Sequence, residues 1–201
     1  ALIEAGADIN RANSYGETPV YIAAKHGHEA VVKALVEAGA DVNQVDIAGW
    51  TPLYSAAQEG HKAVVKALVV AGADVNKADD NGKSPLYIAA QEGLEEVAKA
   101  LIDAGADVNK AEDDGWTPMH WAARVGHEAM VKALIEAGAD VNKAEDDGVT
   151  PLLMAAQKGH EAVVKLLIDA GADLNKAGKY DRMPLYVAAQ EGHEAVVKAL
   201  I

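Results

Sequence analysis

Residues 51–61, Thr-Pro-Leu-Tyr-Ser-Ala-Ala-Gln-Glu-Gly-His, and residues 71–76, Ala-Gly-Ala-Asp-Val-Asn, decide the fold because both motifs recur along the chain. The prolines mark the spacing, since each follows the previous one by 33 residues: Pro19, Pro52, Pro85, Pro118, Pro151 and Pro184. A fixed period of this length is typical of an array of stacked structural repeats.

Each repeat predicts two short helices and a loop. Thr51 before Pro52 predicts a helix start, because a hydroxyl residue caps well and proline suits the first helical position. Gly60 predicts the end of that helix. From His61 to Gly72, apolar residues at three- and four-residue steps predict a second helix, and the following Asp, Asn and Gly residues predict a hairpin-like loop. Because isolated helices this short are marginal, each must bury its apolar face on its neighbours.

These motifs resemble the ankyrin repeat over the whole chain. The resemblance implies an all-α fold, an ankyrin-repeat solenoid of stacked helix-turn-helix units with hairpin-like loops, whose concave side carries the loops and first helices. We expect a single array over residues 1–201. Its expected parts are a partial repeat at 1–12, complete repeats at about 13–45, 46–78, 79–111, 112–144 and 145–177, and a final incomplete repeat at 178–201.

The chain departs from the ankyrin pattern in places. The family usually has His after Thr-Pro-Leu, but only His120 keeps it here, and Tyr stands in most other repeats. In the final repeat, Asp181 replaces a glycine and Met183 replaces the hydroxyl residue of the helix start, which predicts a strained or rearranged loop. Residues 1–3 and 199–201 both match the end of a second helix without a polar cap. We therefore expect either a piece of a longer array or an array whose ends meet other copies, with end-to-end self-association or disordered flanks beyond these residues.

Positions that vary between repeats are not dictated by stacking, so they are candidates for partner binding. The residue before Thr-Pro differs in chemical type from repeat to repeat, and it is tryptophan twice. Exposed Trp, Tyr and Arg are typical interface anchors. By resemblance to the family, loop and first-helix positions form the recognition surface. The candidates are Tyr15, Ile47, Trp50, Lys83, Trp116, Arg124, Val125 and Arg182. The alternative is that these positions have drifted freely, and Trp121 is expected to pack between repeats.

The composition of the chain limits the classes of partner that it is expected to bind. The net charge of −13 and the absence of a basic patch argue against nucleic acid, and they leave a weak preference for a partner with a basic surface. No apolar run approaches the ~20 residues that span a bilayer. The chain has no cysteine and no signal-peptide pattern at Ala1, which favours a cytoplasmic location without a membrane partner.

No residue pattern points to catalysis, a metal or a cofactor. The histidines that begin the second helices are one repeat apart, too far to share a zinc ion, so we interpret them as residues that order the turn. The acidic loop tips lack the spaced ligands of a calcium loop, so we interpret them as solvated turns. The Asp and Asn residues of the loops recur in register and are interpreted as turn chemistry.

We therefore predict a non-enzymatic protein–protein interaction module that binds its partner on the concave surface of loops and first helices. The alternative is an engineered or structural repeat scaffold with no natural ligand. Near identity between repeats favours that alternative, because residues 112–144 and 145–177 match at 23 of 33 positions.

Overall fold

The computed structural model describes residues 6–201, so the predicted helix end at residues 1–3 lies outside the described residues. Within residues 6–201 the secondary structure consists of helices joined by turns and loops, with no strand. The chain divides into two compact units, one ending at Asp107 and the other running from Val108 to Ile201. This arrangement of repeated helix pairs confirms the all-α fold class.

The helices of the described region come in pairs, as the period predicts. Their bounds are α1 Pro19–Lys25, α2 Glu29–Glu37, α3 Pro52–Gln58, α4 Lys62–Val70, α5 Pro85–Gln91, α6 Glu95–Asp103, α7 Pro118–Val125, α8 Glu128–Glu136, α9 Pro151–Lys158, α10 Glu161–Asp169, α11 Pro184–Gln190 and α12 Glu194–Leu200. A short 3-10 turn, Lys179–Asp181, precedes α11.

Each unit has two layers of helices. In the first unit, α1, α3 and α5 pack side by side, and α2, α4 and α6 do the same in the second layer. In the second unit, α7, α9 and α11 form one layer and α8, α10 and α12 the other. Paired alanines at the centre of each layer of first helices, such as Ala56 with Ala57 and Ala155 with Ala156, are fully buried. Their small side chains allow neighbouring helices to pack closely.

The first helices begin where the Thr-Pro pattern predicts. The side chain of Thr51 accepts a hydrogen bond from the backbone N–H of Tyr54 at 3.0 Å, and Pro52 occupies the first helical position. This bond satisfies one of the N–H groups that a helix start leaves without a partner. The same cap forms at three other helix starts, those of Thr18, Ser84 and Thr150.

Hydrogen bonds between neighbouring repeats recur at the same two positions. Asn43 Oδ1 accepts from the backbone N–H of Asp74 at 2.8 Å, one repeat further along the chain. His61 Nε2 lies 3.1 Å from the carbonyl oxygen of Lys25, the last residue of α1. The histidines interpreted as turn residues thus also satisfy a carbonyl at the end of the preceding first helix. His160 and His193 make the same contact in the second unit, to Arg124 and Gln157.

Tyrosine in the family's histidine position also links successive repeats. The Tyr21 hydroxyl donates to Asp46 Oδ2 at 2.9 Å, and the Tyr54 hydroxyl donates to Asp79 Oδ2 at 3.4 Å. Burial raises the pKa of both tyrosines well above the ordinary value, and the neighbouring carboxylates add to the effect. Because a tyrosine side chain is longer than a histidine side chain, its hydroxyl reaches the carboxylate of the next loop.

His120 forms the link differently. Its Nδ1 accepts from the Thr117 backbone N–H at 3.1 Å and lies 2.8 Å from the Thr117 hydroxyl. With Nδ1 as the acceptor, Nε2 carries the proton and donates to the Val149 carbonyl oxygen at 3.0 Å. The ring is fully buried, and burial lowers the pKa of His120 below its ordinary value of 6.5.

The loop before α11 has the irregular conformation that its sequence predicts. In the other repeats an Asp, Glu or Asn side chain holds the loop, as where Asp46 Oδ1 accepts from two backbone N–H groups at 2.9 Å. Gly178 occupies that position in the final repeat and has no side chain to accept. Tyr180 and Asp181 adopt left-handed φ values of 62° and 55°, and Met183 makes no side-chain cap. Left-handed backbone is strained for residues other than glycine.

Candidate partner-binding surface

In the first unit, two of the predicted site residues lie at adjacent loop tips. Tyr15 is 62% exposed and Ile47 is 71% exposed. A backbone hydrogen bond of 3.0 Å from Ile47 N to Tyr15 O joins the two tips. The pair therefore presents two large, mainly apolar side chains to solvent, outside the buried core.

Trp50 and Lys83, also in the first unit, are half-buried. The Trp50 ring stacks on Tyr54, with ring centroids 5.1 Å apart and planes at 26°. Its indole N–H donates to Asp79 Oδ2 at 3.3 Å, the oxygen that also accepts from Tyr54. The Lys83 ammonium lies 5.9 Å from the centre of the Tyr87 ring. Trp50 is therefore part of the link between two repeats as well as a surface residue.

In the second unit, the structure brings Trp116 and Arg124 together with a third side chain, Trp121. The two indole rings are 5.1 Å apart, and the Arg124 guanidinium lies 4.8 Å from the Trp121 ring and 5.6 Å from the Trp116 ring. All three side chains are half-buried. Val125, next to Arg124, is 44% exposed. We call these residues, Trp116, Trp121, Arg124 and Val125, the aromatic patch.

The sequence-based interpretation of Trp121 missed this patch. Its column contains aliphatic residues in most repeats, such as Ile88 and Met154, which predicted a residue packed between repeats. Trp121 is half-buried, with its indole nitrogen inaccessible to solvent, and its ring also lies against Trp116 and Arg124. The spacing of Trp121 and Arg124 was the available signal, because residues three apart in a helix share a face.

Arg182, the remaining predicted site residue, does not join the patch. It is half-buried, its guanidinium lies 5.9 Å from the ring of Tyr180, and it lines a small cavity with residues of α9. The second unit therefore contains two separate groups of the predicted residues, the aromatic patch and Arg182 with Tyr180.

Acidic loop tips accompany the aromatic patch in the second unit. The exposed residues Asp113 and Asp114 precede Trp116 in the chain, and the backbone N–H of Asp146 donates to the Asp114 carbonyl at 3.2 Å. Asp147 pairs with Lys179 at 2.9 Å. Carboxylates on consecutive tips create a negative potential at this end of the loops.

The character of these side chains differs from that of a metal site. Among residues 6–201, no three His, Cys, Asp or Glu side chains are placed to hold one metal ion. No helix in this described part of the chain is long and apolar enough to span a membrane. What the predicted site residues form instead is a surface of aromatic rings, aliphatic side chains and a guanidinium.

Comparison with known proteins identifies the family. A family model for ankyrin repeats, described as three copies, matches residues 1–79, 66–145 and 142–201. No curated protein matches the chain. Since the matches extend from the first residue to the last and the helix pairs recur in register, the chain belongs to the ankyrin-repeat family.

Proposed function

We propose that this chain binds a protein partner through its loop tips and first helices, with the aromatic patch as the main anchor. Ankyrin repeats are in general protein-interaction modules and are typically non-enzymatic. The observation that carries the proposal is the group of two half-buried tryptophans and an arginine whose side chains contact one another. Such residues contribute most of the energy in many interfaces.

The patch is ordered before a partner arrives. Arg124 is held over both indole rings, so binding does not have to restrict these side chains from a freely moving state. Immobilising a flexible side chain costs about 0.5–1.5 kcal/mol, so prior order favours affinity. Tyr15, Ile47, Trp50 and Lys83 in the first unit and Arg182 in the second are proposed as further contacts.

The charge of the surface supports a partner with basic residues. The tips at residues 113–114 and 146–147 are acidic and exposed, and the chain has a net charge of −13. A partner segment that combines an apolar side chain for the tryptophans with Lys or Arg for the tips fits both features.

A proteome-wide pull-down tests the proposal, with the parent chain, Trp116→Ala and Trp50→Ala as baits. Tyr186→Ala is the matched control, because Tyr186 is a 55% exposed aromatic residue of α11 that is not one of the proposed contacts. We expect a partner captured by the parent and by Tyr186→Ala, and captured poorly by Trp116→Ala. Equal capture by all four baits contradicts the proposed surface.

The second candidate is a repeat scaffold without a natural ligand, engineered or structural. It is supported by the 23 of 33 positions shared by residues 112–144 and 145–177. The same pull-down separates the candidates, because a scaffold captures no partner with any of the four baits.

A further inference from the structure

A groove lies between the second helices α2 and α4 of the first unit, with a volume of about 500 Å³. Its lining residues all belong to these helices or to the residue that ends α4: Glu29, Lys33, Val36, Glu37, Ala63, Lys66, Ala67, Val70 and Ala71. Most of the lining is aliphatic, and Val70 is 89% exposed. No residue of a loop tip or a first helix lines it, so it is distinct from the surface proposed above.

The sequence of α4 departs from the other second helices at two positions. Val70 stands where the other repeats have an acidic residue, namely Glu37, Asp103, Glu136 and Asp169. Lys62 stands where the other repeats have Glu29, Glu95, Glu128, Glu161 and Glu194. As a result, α4 carries two lysines and no carboxylate, on a chain whose net charge is −13.

Because of these two departures, Lys66 lacks the acidic residues that lie one helical turn before and after the equivalent lysines of other repeats. In α2, Lys33 pairs with Glu29 at 2.6 Å, the residue one helical turn before it. The residues one turn before and after Lys66 are Lys62 and Val70, and Lys62 pairs with Glu96 of α6. Among residues 6–201, no carboxylate lies within ion-pair distance of Lys66. The groove thus has an aliphatic floor and, at its edge, an ammonium that makes no ion pair of its own, although its charge acts together with that of Lys62 on Glu96.

We propose that this groove binds an acidic amphipathic helix of a protein partner. Aliphatic side chains of that helix occupy the floor between Val36 and Val70, and a carboxylate beside them pairs with Lys66. Two charges on the facing wall, Glu29 and Lys33, already neutralise each other, while Glu37 at the rim disfavours a second carboxylate there. Docking of an amphipathic helix into an apolar groove is a common mode of peptide recognition.

The probe for the test is a synthetic 16-residue helical peptide with Leu on one face and Glu beside it, titrated into isotopically labelled protein and followed by NMR. We expect saturable shifts confined to amides of α2 and α4, and a loss of affinity at higher salt. The same peptide with Lys in place of Glu is expected not to bind. Shifts spread over the chain, or equal binding of both peptides, overturn the proposal.

Variants locate the site. Val70→Glu restores the acidic residue of the column, and it is expected to weaken the Glu peptide at least tenfold. Lys66→Ala is expected to weaken it several-fold. Lys165→Ala, at the same position of α10, is the matched control and is expected to leave binding unchanged. Thermal unfolding checks that each variant is folded, and unchanged affinity in folded Val70→Glu overturns the proposal.

Two further outcomes are informative. If a second copy of the chain occupies the groove, sedimentation shows a dimer that Val70→Glu converts to a monomer, and this result overturns the choice of an acidic partner helix. Trp116→Ala is expected to leave peptide binding to the groove unchanged, because the aromatic patch lies in the other unit. Failure at the groove is therefore distinguishable from failure of the proposed function.

Discussion

Residues 112–144 and 145–177 are neighbouring repeats with almost the same framework and different surfaces. Both contain an eight-residue first helix, a nine-residue second helix and a leucine with no exposed surface, Leu134 or Leu167. Of their ten differing positions, six lie in residues 116–125 of the first repeat. There the first repeat has the aromatic patch, and the second has Val149, Met154, Gln157 and Lys158. The comparison shows that stacking tolerates exchange of this surface.

One buried position differs between the two repeats, and a residue of the following repeat differs in a way that accommodates the change. His120 donates to the Val149 carbonyl, whereas Leu153 in the same position makes no such bond and faces Gly178. A Cβ on Gly178 would lie 3.1 Å from a Leu153 methyl carbon. The glycine that falls outside the regular spacing therefore makes room for Leu153.

The largest expected effect tests whether the framework is shared. Leu134→Ala and Leu167→Ala each remove a fully buried side chain from the same position, and each is expected to lower the unfolding free energy by about 2–5 kcal/mol. Denaturant unfolding measures both. Lys132 is exposed on α8, the helix that contains Leu134. Lys132→Ala is therefore the control and should change the unfolding free energy by no more than ~0.5 kcal/mol. A large loss in one leucine variant and none in the other breaks the comparison.

The second effect sharpens the pairing of Leu153 with Gly178. Gly178→Asp places a carboxylate against an aliphatic side chain, and it is expected to cost about 1–3 kcal/mol. Leu153→Tyr in the same chain recreates the pair seen between Tyr54 and Asp79, so the double variant should recover part of the loss. A double-mutant cycle in denaturant measures the coupling. Strictly additive losses would show that the two positions are independent.

The third effect is the pH dependence that His120 has and Leu153 lacks. Because burial lowers the pKa of His120 in the folded state, the unfolded chain binds the proton more readily as the pH falls below 6.5. Its contribution to stability is present above pH 6.5 and decreases below it, by at most about 1.4 kcal/mol per pH unit for one proton.

Unfolding at pH 7.5, 6.5 and 5.5 measures this dependence against the variant His120→Tyr, which has the residue of most other repeats. The parent is expected to lose more stability on acidification than the variant. An identical pH dependence in both proteins is incompatible with a buried neutral histidine.

The smallest effect concerns the helix starts of α9 and α11. Thr150 caps α9 with its hydroxyl, whereas Met183 gives α11 no side-chain cap. Met183→Thr is expected to raise the unfolding free energy by about 1 kcal/mol, a typical value for an N-cap hydroxyl. Thermal unfolding measures the gain, with Met183→Ala as the control for loss of the exposed methionine. No difference between Thr and Ala at this position rules out the expected cap.

Much of the fold could be predicted because it repeats. The Thr-Pro helix starts, the alanine pairs and the irregular loop before α11 follow from local preferences that one motif displays. Links between repeats were harder, because the contacts of His61 with Lys25 and of Tyr54 with Asp79 join residues 36 and 25 positions apart. No single repeat contains both partners.

The candidate surface was predicted only in part, for a similar reason. Variation between repeats pointed to Trp116 and Arg124, but Trp121 had aliphatic counterparts and was expected to pack between repeats. Its contacts with Trp116 and Arg124 depend on side-chain directions at the end of a loop and along α7. The groove beside Val70 was also missed, since it arises from two helices in different repeats.

One measurement tests most directly whether a shared framework presents an exchangeable binding surface. The four substitutions Trp116→Val, Trp121→Met, Arg124→Gln and Val125→Lys give α7 and the loop before it the surface residues of α9 and its loop, and they leave His120 in place. Quantitative capture of the partner, together with thermal unfolding, compares this variant with the parent. We expect a change in midpoint of only a few degrees and loss of the partner. Full capture of the partner by the folded variant would contradict the account.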